Sequence, residues 1–351
     1  MTLKKGICYA AVILGAAFIM GGCGKSQPTE YLTIFNYGEY MDPDVIDQFT
    51  EETGIGIKYE EALTPEELYA KYSSGAISYD LVCSSDYMIQ RLIKEGEAQK
   101  VDFASMEYAG NIGDRFWELS KAFDPDNEYA LPYFYGTVGI LYDTTKVSGD
   151  IDSWGVLFDG SYKNDIIMQN SQRDTFMITL KYLGYSLNTS NENELREALD
   201  LLIKQKPDVQ AYLVDEARDE VVAGNAAMAV VYSGEAYLGH EYNENLAYVV
   251  PKEGSNVWID SWIVTRHCTN LGAAQKFLDF LCREDVATMN FEYIYYSTPN
   301  EAVVANMDEE LRNDPAITPT EEDMLNCEVN TQIDEDITKL YNELWKELKA
   351  D

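Results

Sequence analysis

The sequence predicts an α/β protein of two lobes, each a mixed, mostly parallel sheet flanked by helices. Through residues 31–96, short apolar runs alternate with capped amphipathic stretches, a pattern that builds a parallel sheet with helices on both faces. A second alternation of the same kind begins near Gly136, after ALPY at 130–133. The 351 residues suffice for two cores and show no internal repeat or long low-complexity linker, so the chain is expected to cross between lobes more than once.

The first residues are set apart from that fold. Lys4 and Lys5 precede an apolar run from Ile7 to Met20, followed by MGGCGKS. A run this short, with these flanks, reads as a signal peptide over residues 1–22 rather than a membrane span. Residues 23–29 then read as a polar tether.

The folded elements justify themselves in order. Residues 31–35 form an apolar strand, and Asp42 with Pro43 starts a helix that Gly54 stops. Residues 56–60 give a second strand. TPEE at 64–67 is a capping box with proline at the first helical position, opening a helix to about Ser73. YDLVCS at 79–84 is a third strand, and DYMIQRLIKEG an amphipathic helix. In the second unit the strands are 165–168 and 226–232, with helices at about 173–184, 194–204 and 215–223. NVWIDSWIV adds a strand near Trp258, and helices follow at 271–282 and 285–293. Ile337, Leu340, Tyr341, Leu344, Trp345 and Leu348 are spaced for one buried face of a final helix.

Composition removes several function classes. The formal net charge is −35, and it becomes more negative once Lys4 and Lys5 leave with the leader. Nucleic acid and anionic lipid repel such a chain; cations are attracted. Beyond the leader the histidines are His240 and His267, neither tied to a nucleophile, which disfavours Ser-His-Asp or Cys-His chemistry. There is no Walker loop, dinucleotide-type glycine pattern or HExxH, and no cofactor or metal site follows. Cys83, Cys268, Cys282 and Cys327 match no zinc spacing; Cys83 and Cys282 lie in apolar runs as small hydrophobes. No disulfide is assigned.

What remains is a set of acid–aromatic clusters at predicted element ends: NYGEY (36–40), SSDY (84–87), NSQRDTF (170–176), VYSGEAY (231–237) and VWIDSW (257–262), with IYYSTPN (294–300) adding aromatics. Each has a plainer explanation. Asp86 reads as the N-cap of the next helix, Asp174 as a first-turn acid, Tyr232 as core, and Tyr295 and Tyr296 as packing residues on opposite faces. The repetition of one pairing argues for a shared site, since strand carboxyl ends face a common crevice in such sheets. Carboxylates hold an alkylammonium group through charge-assisted hydrogen bonds. An aromatic face adds about 0.5–2 kcal/mol of cation–π attraction. Methylene segments want flat apolar walls. A polyamine combines all three demands.

These residues resemble the polyamine (spermidine/putrescine)-binding proteins of bacterial ABC transporters. The marks are FNYGEYMDPDVIDQFTEETGI, YDLVCSSDYMI, LPYFYGTVGILYD, the RDTF–LGYS segment, PKEGSNVWIDSW and YYSTPN, in this order from about Tyr31 to Leu348. The resemblance implies a type II periplasmic-binding-protein fold closing by a hinge, and a membrane permease with a cytoplasmic ATPase as partner. Lobe boundaries near 30–136 plus 261–304, and 137–260 plus 305–351, are expected. MGGCGKS resembles a bacterial lipobox, which implies lipidation at Cys23 and anchoring on the outer face of the cytoplasmic membrane; the protein is expected to be a monomer.

The resemblance also implies binding residues. Tyr37, Tyr40, Tyr87, Tyr232, Trp258 and Tyr296 match aromatic walls; Glu39, Asp174 and Asp260 match acids; Ser85 matches a pocket serine. A family glutamine falls at Asn330 or Gln332. Ser171 stands where spermidine binders can carry aspartate, and Gly38 replaces a hydroxyl residue, which leaves spermidine against putrescine open. Asp86 is an extra acid beside Ser85. Two other readings compete: ferric iron held by Tyr295 and Tyr296 on the same fold, and a secreted glycosidase using two of Glu39, Asp174 and Asp260.

Overall fold

A computed structural model describes residues 28–149, 151–214 and 216–350. The leader, Cys23 and most of the tether lie outside the described residues. The first half is built as its capping chemistry dictates. Strand β1 (Glu30–Tyr37) leads to the helix Pro43–Thr53, where the Asp42 carboxylate accepts the Asp44 N–H and Gly54 closes the helix at φ 73°. Strand β2 (Ile55–Ala62) pairs parallel to β1. Thr64 then caps the helix Pro65–Ser73 through the Glu67 N–H. Strand β3 (Leu81–Ser84), buried at every residue, pairs with the other edge of β1 and runs into the helix Asp86–Lys94.

After the two-residue β4 (Ala98–Gln99) comes β5 (Ala130–Asp143), a single strand of 14 residues. The second half contains β6 (Ile166–Gln169), β7 (Val209–Leu213), β8 (Met228–Tyr232) and β9 (Leu246–Val249), and the chain returns through β10 (Val257–Thr265). The strand order is β2-β1-β3-β10-β5-β8-β6-β7, with β4 on β10 and β9 on β5. Three strands run parallel in each half, β2-β1-β3 and β8-β6-β7; every antiparallel pair involves β5 or β10. The expected mixed α/β class is therefore the one found.

Two main cores flank β5. Leu131, Phe134 and Tyr135 belong to one, with Phe35, Phe49, Trp262 and Phe277. Val138 and Ile140 belong to the other, with Trp154, Ile166, Phe176 and Leu199. Of the segment after residue 304, Met307, Ile317 and Val329 pack in the first core, while Tyr341, Leu344 and Leu348 of the helix Glu335–Lys349 pack in the second. Among the described residues no helix is long and apolar enough to cross a membrane. Cys83, Cys268, Cys282 and Cys327 are free thiols.

Three expectations differ from the structure. Residues 231–237 do not form a loop tip; the helix Ser233–Tyr242 starts inside them. Strands β7 and β9 are absent from the elements the sequence predicts. Both are only half-buried over most of their length, so they lack the clean alternation that marks a strand in sequence.

Candidate functional site

The carboxyl ends of β1 and β3 meet β10 and the start of two helices around a cleft of about 810 Å³. Tyr37, the last residue of β1, bonds Ser84 Oγ at 3.0 Å and accepts the Ser85 N–H at 3.2 Å, which fixes its phenol over the end of β3. Tyr40 lies beyond the turn, its ring edge-on to Tyr37 at 5.6 Å, and its hydroxyl donates to Asp260 Oδ2 at 2.8 Å. Trp258 and Asp260 sit two apart on β10, so both reach the same face of the sheet. The Trp258 ring stands perpendicular to Tyr296, 5.1 Å between centroids.

The second half supplies the opposite wall. Ser171 caps the helix Gln172–Tyr182. In its first turn Asp174 is buried and accepts a 2.8 Å hydrogen bond from the Tyr232 hydroxyl. Asn330 and Gln332 both line the cleft: Asn330 Oδ1 accepts from Arg173 at 2.7 Å, and the Gln332 N–H donates to Gln90 Oε1 at 2.7 Å. The structure thus brings together Tyr37, Tyr40, Ser85, Tyr87, Ser171, Asp174, Tyr232, Trp258, Asp260, Tyr296 and Gln332.

Glu39 is the exception. It sits in the turn after β1 with a left-handed backbone, φ 55°, and its side chain is exposed outside the cleft lining. A second correction concerns Asp86. Ser85 has the extended backbone of the N-cap, and Asp86 is the first helical residue. Its carboxylate is buried in the cleft, accepting the N–H of Tyr87 at 2.6 Å and of Ile259 at 3.4 Å. The signal in sequence was Ser85 itself, a preferred capping residue one position earlier. Tyr295 and Tyr296 diverge. Tyr296 faces the cleft, whereas Tyr295 stacks on Tyr237 at 5.4 Å and lines a separate cavity, so the pair does not converge on one metal position.

Burial sets the electrostatics. Desolvation pushes the Asp260 carboxyl up to about 7 despite the Tyr40 hydrogen bond, and pushes Asp86 up to about 8, with the charge of nearby Asp260 adding to it. Asp174 is raised by burial too, opposed by its bonds from Ser171 and Tyr232. A positive charge placed beside any of the three would favour its ionised form. Trp258 Nε1 and Ser85 Oγ, also buried, have no hydrogen-bond partner among the described residues.

Two glycines make the aromatic walls possible. A Cβ on Gly136, which pairs with Trp258 across β5 and β10, would lie 2.3 Å from the indole; one on Gly234 would lie 2.2 Å from the Tyr296 ring. Both rings rest on bare backbone.

Residues 44–319 match the family model of bacterial extracellular solute-binding proteins. The chain belongs to this family. Among curated members, the spermidine/putrescine-binding periplasmic protein of Salmonella typhimurium is 32% identical, covering 96% of both chains. The putrescine-binding periplasmic protein SpuD of Pseudomonas aeruginosa is 28% identical over 94% of this chain and 95% of its own. The solved spermidine/putrescine ABC transporter substrate-binding protein PotD of Streptococcus pneumoniae superposes with a TM-score of 0.85 at 37% identity, covering 92% of this chain and 99% of that one. In this solute-binding protein, then, the cleft between the two halves is the candidate ligand site, and no part of its lining recruits a histidine.

Proposed function

We propose that this solute-binding protein captures a polyamine, putrescine or spermidine, between its two halves and delivers it to an ABC permease driven by a cytoplasmic ATPase. The observation that carries the reading is a pair of buried carboxyls on opposite walls, Asp260 and Asp174, each bonded by a tyrosine hydroxyl at 2.8 Å. Asp260 belongs to the half holding the first core and Asp174 to the other. A linear dication matches this arrangement, with one ammonium per wall and methylenes against Tyr37, Trp258, Tyr232 and Tyr296. Each carboxylate is costly to ionise in an empty cleft and compensated when the ammonium arrives. Capture of this kind draws the halves together, because the ligand is a bridge between them.

The cleft acids serve as charge partners rather than as a catalytic pair, and the protein has no enzymatic role in this reading. Relatives named as periplasmic, together with the leader and MGGCGKS, support export, with lipidation at Cys23 holding a monomer on the outer face of the cytoplasmic membrane. The test is equilibrium dialysis of protein stripped by unfolding and refolding against radiolabelled putrescine and spermidine. One equivalent retained per chain supports the proposal; folded protein that retains neither amine overturns it.

A further inference from the structure

Among the described residues the cleft holds three buried carboxyls, and one of them is treated differently from the other two. Asp260 and Asp174 each receive a phenol hydroxyl. Asp86 receives only main-chain N–H groups, a close one from Tyr87 and a long one from Ile259. Beside it the Ser85 hydroxyl is buried with no hydrogen-bond partner among the described residues. The other charged and titratable side chains lining the cleft with Asp86 are Asp260 on β10, Asp174 and Arg173 on the helix Gln172–Tyr182, Arg91 on its own helix, and the phenols of Tyr37, Tyr40, Tyr87, Tyr232 and Tyr296. Arg173 is engaged by Asn330 and Asn188, and Arg91 by Glu95 and the Tyr69 ring. No protein cation hydrogen-bonds the Asp86 carboxyl among the described residues, and the charge of Asp260 opposes its ionisation more than that of Arg173 favours it.

We propose that Asp86 is a third cation-receiving carboxyl of the cleft, engaged by a linear amine carrying three ammonium groups and left unengaged by a diamine. The inference rests on the polyamine reading above and deepens it. Asp260 and Asp174 suffice for the two charges of putrescine. The third charge of spermidine needs a third acceptor, and Asp86 with Ser85 Oγ supplies one. Burial raises the carboxyl to about 8, which leaves it largely protonated in the empty protein at neutral pH. When the ammonium arrives, the carboxylic proton passes to buffer and the ion pair takes its place; the amine keeps its own protons. A purely structural Asp86, holding the helix start to β10 as a neutral acid, would take no part in this exchange.

The test is calorimetric titration of putrescine and spermidine at pH 7 in two buffers of different ionisation enthalpy, on the parent and on Asp86→Asn. In the parent, spermidine is expected to release more protons than putrescine, a measurement that needs no variant. Asp86→Asn is expected to weaken spermidine about tenfold or more, to leave putrescine within about threefold, and to remove the excess proton release. Equal proton release by both amines in the parent, or equal losses of both in a folded variant, overturns the proposal while leaving polyamine capture intact. Absence of binding by either amine to the parent overturns the underlying reading as well.

Discussion

Tyr40 and Asp260, 220 residues apart, are joined by a 2.8 Å hydrogen bond from phenol to carboxylate on the floor of the cleft. The bond ties the turn after β1 to the strand β10 that returns from the second half. It also steadies the anionic form of an acid that burial would otherwise hold neutral.

Tyr40→Phe keeps the ring and removes the donor. We expect polyamine affinity to fall by about 1–2 kcal/mol, and the Asp260 carboxyl to titrate higher than in the parent. Calorimetry reads the first and carbon-detected NMR of the aspartate carboxyls the second. An unchanged affinity would assign the hydroxyl a purely structural task.

Asp260→Asn and Trp258→Ala remove a charged partner and an aromatic wall. Each is expected to weaken binding by about 1–3 kcal/mol, with the far-ultraviolet circular dichroism spectrum unchanged. If both variants bind as the parent does, the ligand sits elsewhere.

Gly234→Ala places a methyl where the Tyr296 ring lies, 2.2 Å away. The ring must move, because the methyl projects from helix backbone that cannot yield. A stability loss of about 1–3 kcal/mol is expected, together with weaker polyamine binding. Wild-type affinity and melting temperature would show that Tyr296 shifts without consequence.

The buried acids make a signed prediction about pH. Burial raises Asp86 to about 8 and Asp260 to about 7, from an ordinary carboxyl value of 3.8. A group raised on folding contributes stability that is complete below the unfolded pKa and is lost as pH rises through the folded one. For these groups the loss runs from about pH 4 to 8. Unliganded protein is therefore expected to melt at lower temperature at pH 8.5 than at 5.5, and the rise in melting temperature on adding polyamine to be larger at pH 8.5. Calorimetric scans check both. Acids held low, such as Glu52 at about 2 beside Arg283, release their contribution only below this window.

Much of this organisation is legible in sequence because it depends on near neighbours. Asp42-Pro43 and Gly54 bracket a helix through their own backbone chemistry, as do Thr64 and Glu67. The cleft aromatics are legible through their repeated pairing with acids at element ends. What sequence hides is set by distant contacts. Gly234 discourages a helix by propensity, yet it lies in the first turn of one, where the Tyr296 ring leaves room for bare backbone alone. Gly136 reads as punctuation, although it lies inside the 14-residue β5 and is required by Trp258. Glu39 reads as a pocket acid between two rings, but the left-handed turn directs it to solvent. Asp86 reads both as a cap and as an extra acid beside Ser85; it is the first residue of its helix and a buried cleft carboxyl.

Polyamine capture in this cleft depends on buried carboxylates on both walls taking the charges of an aliphatic amine. Its most direct test is titration of putrescine, spermidine and spermine into stripped protein beginning after Cys23, with 1,4-butanediol as an uncharged analogue of the shortest chain. We predict one-to-one binding of at least one amine at micromolar concentration or tighter, and no detectable binding of the diol. Equal binding of diol and diamine, or no binding of any amine by folded protein, would rule out charge capture by these carboxylates.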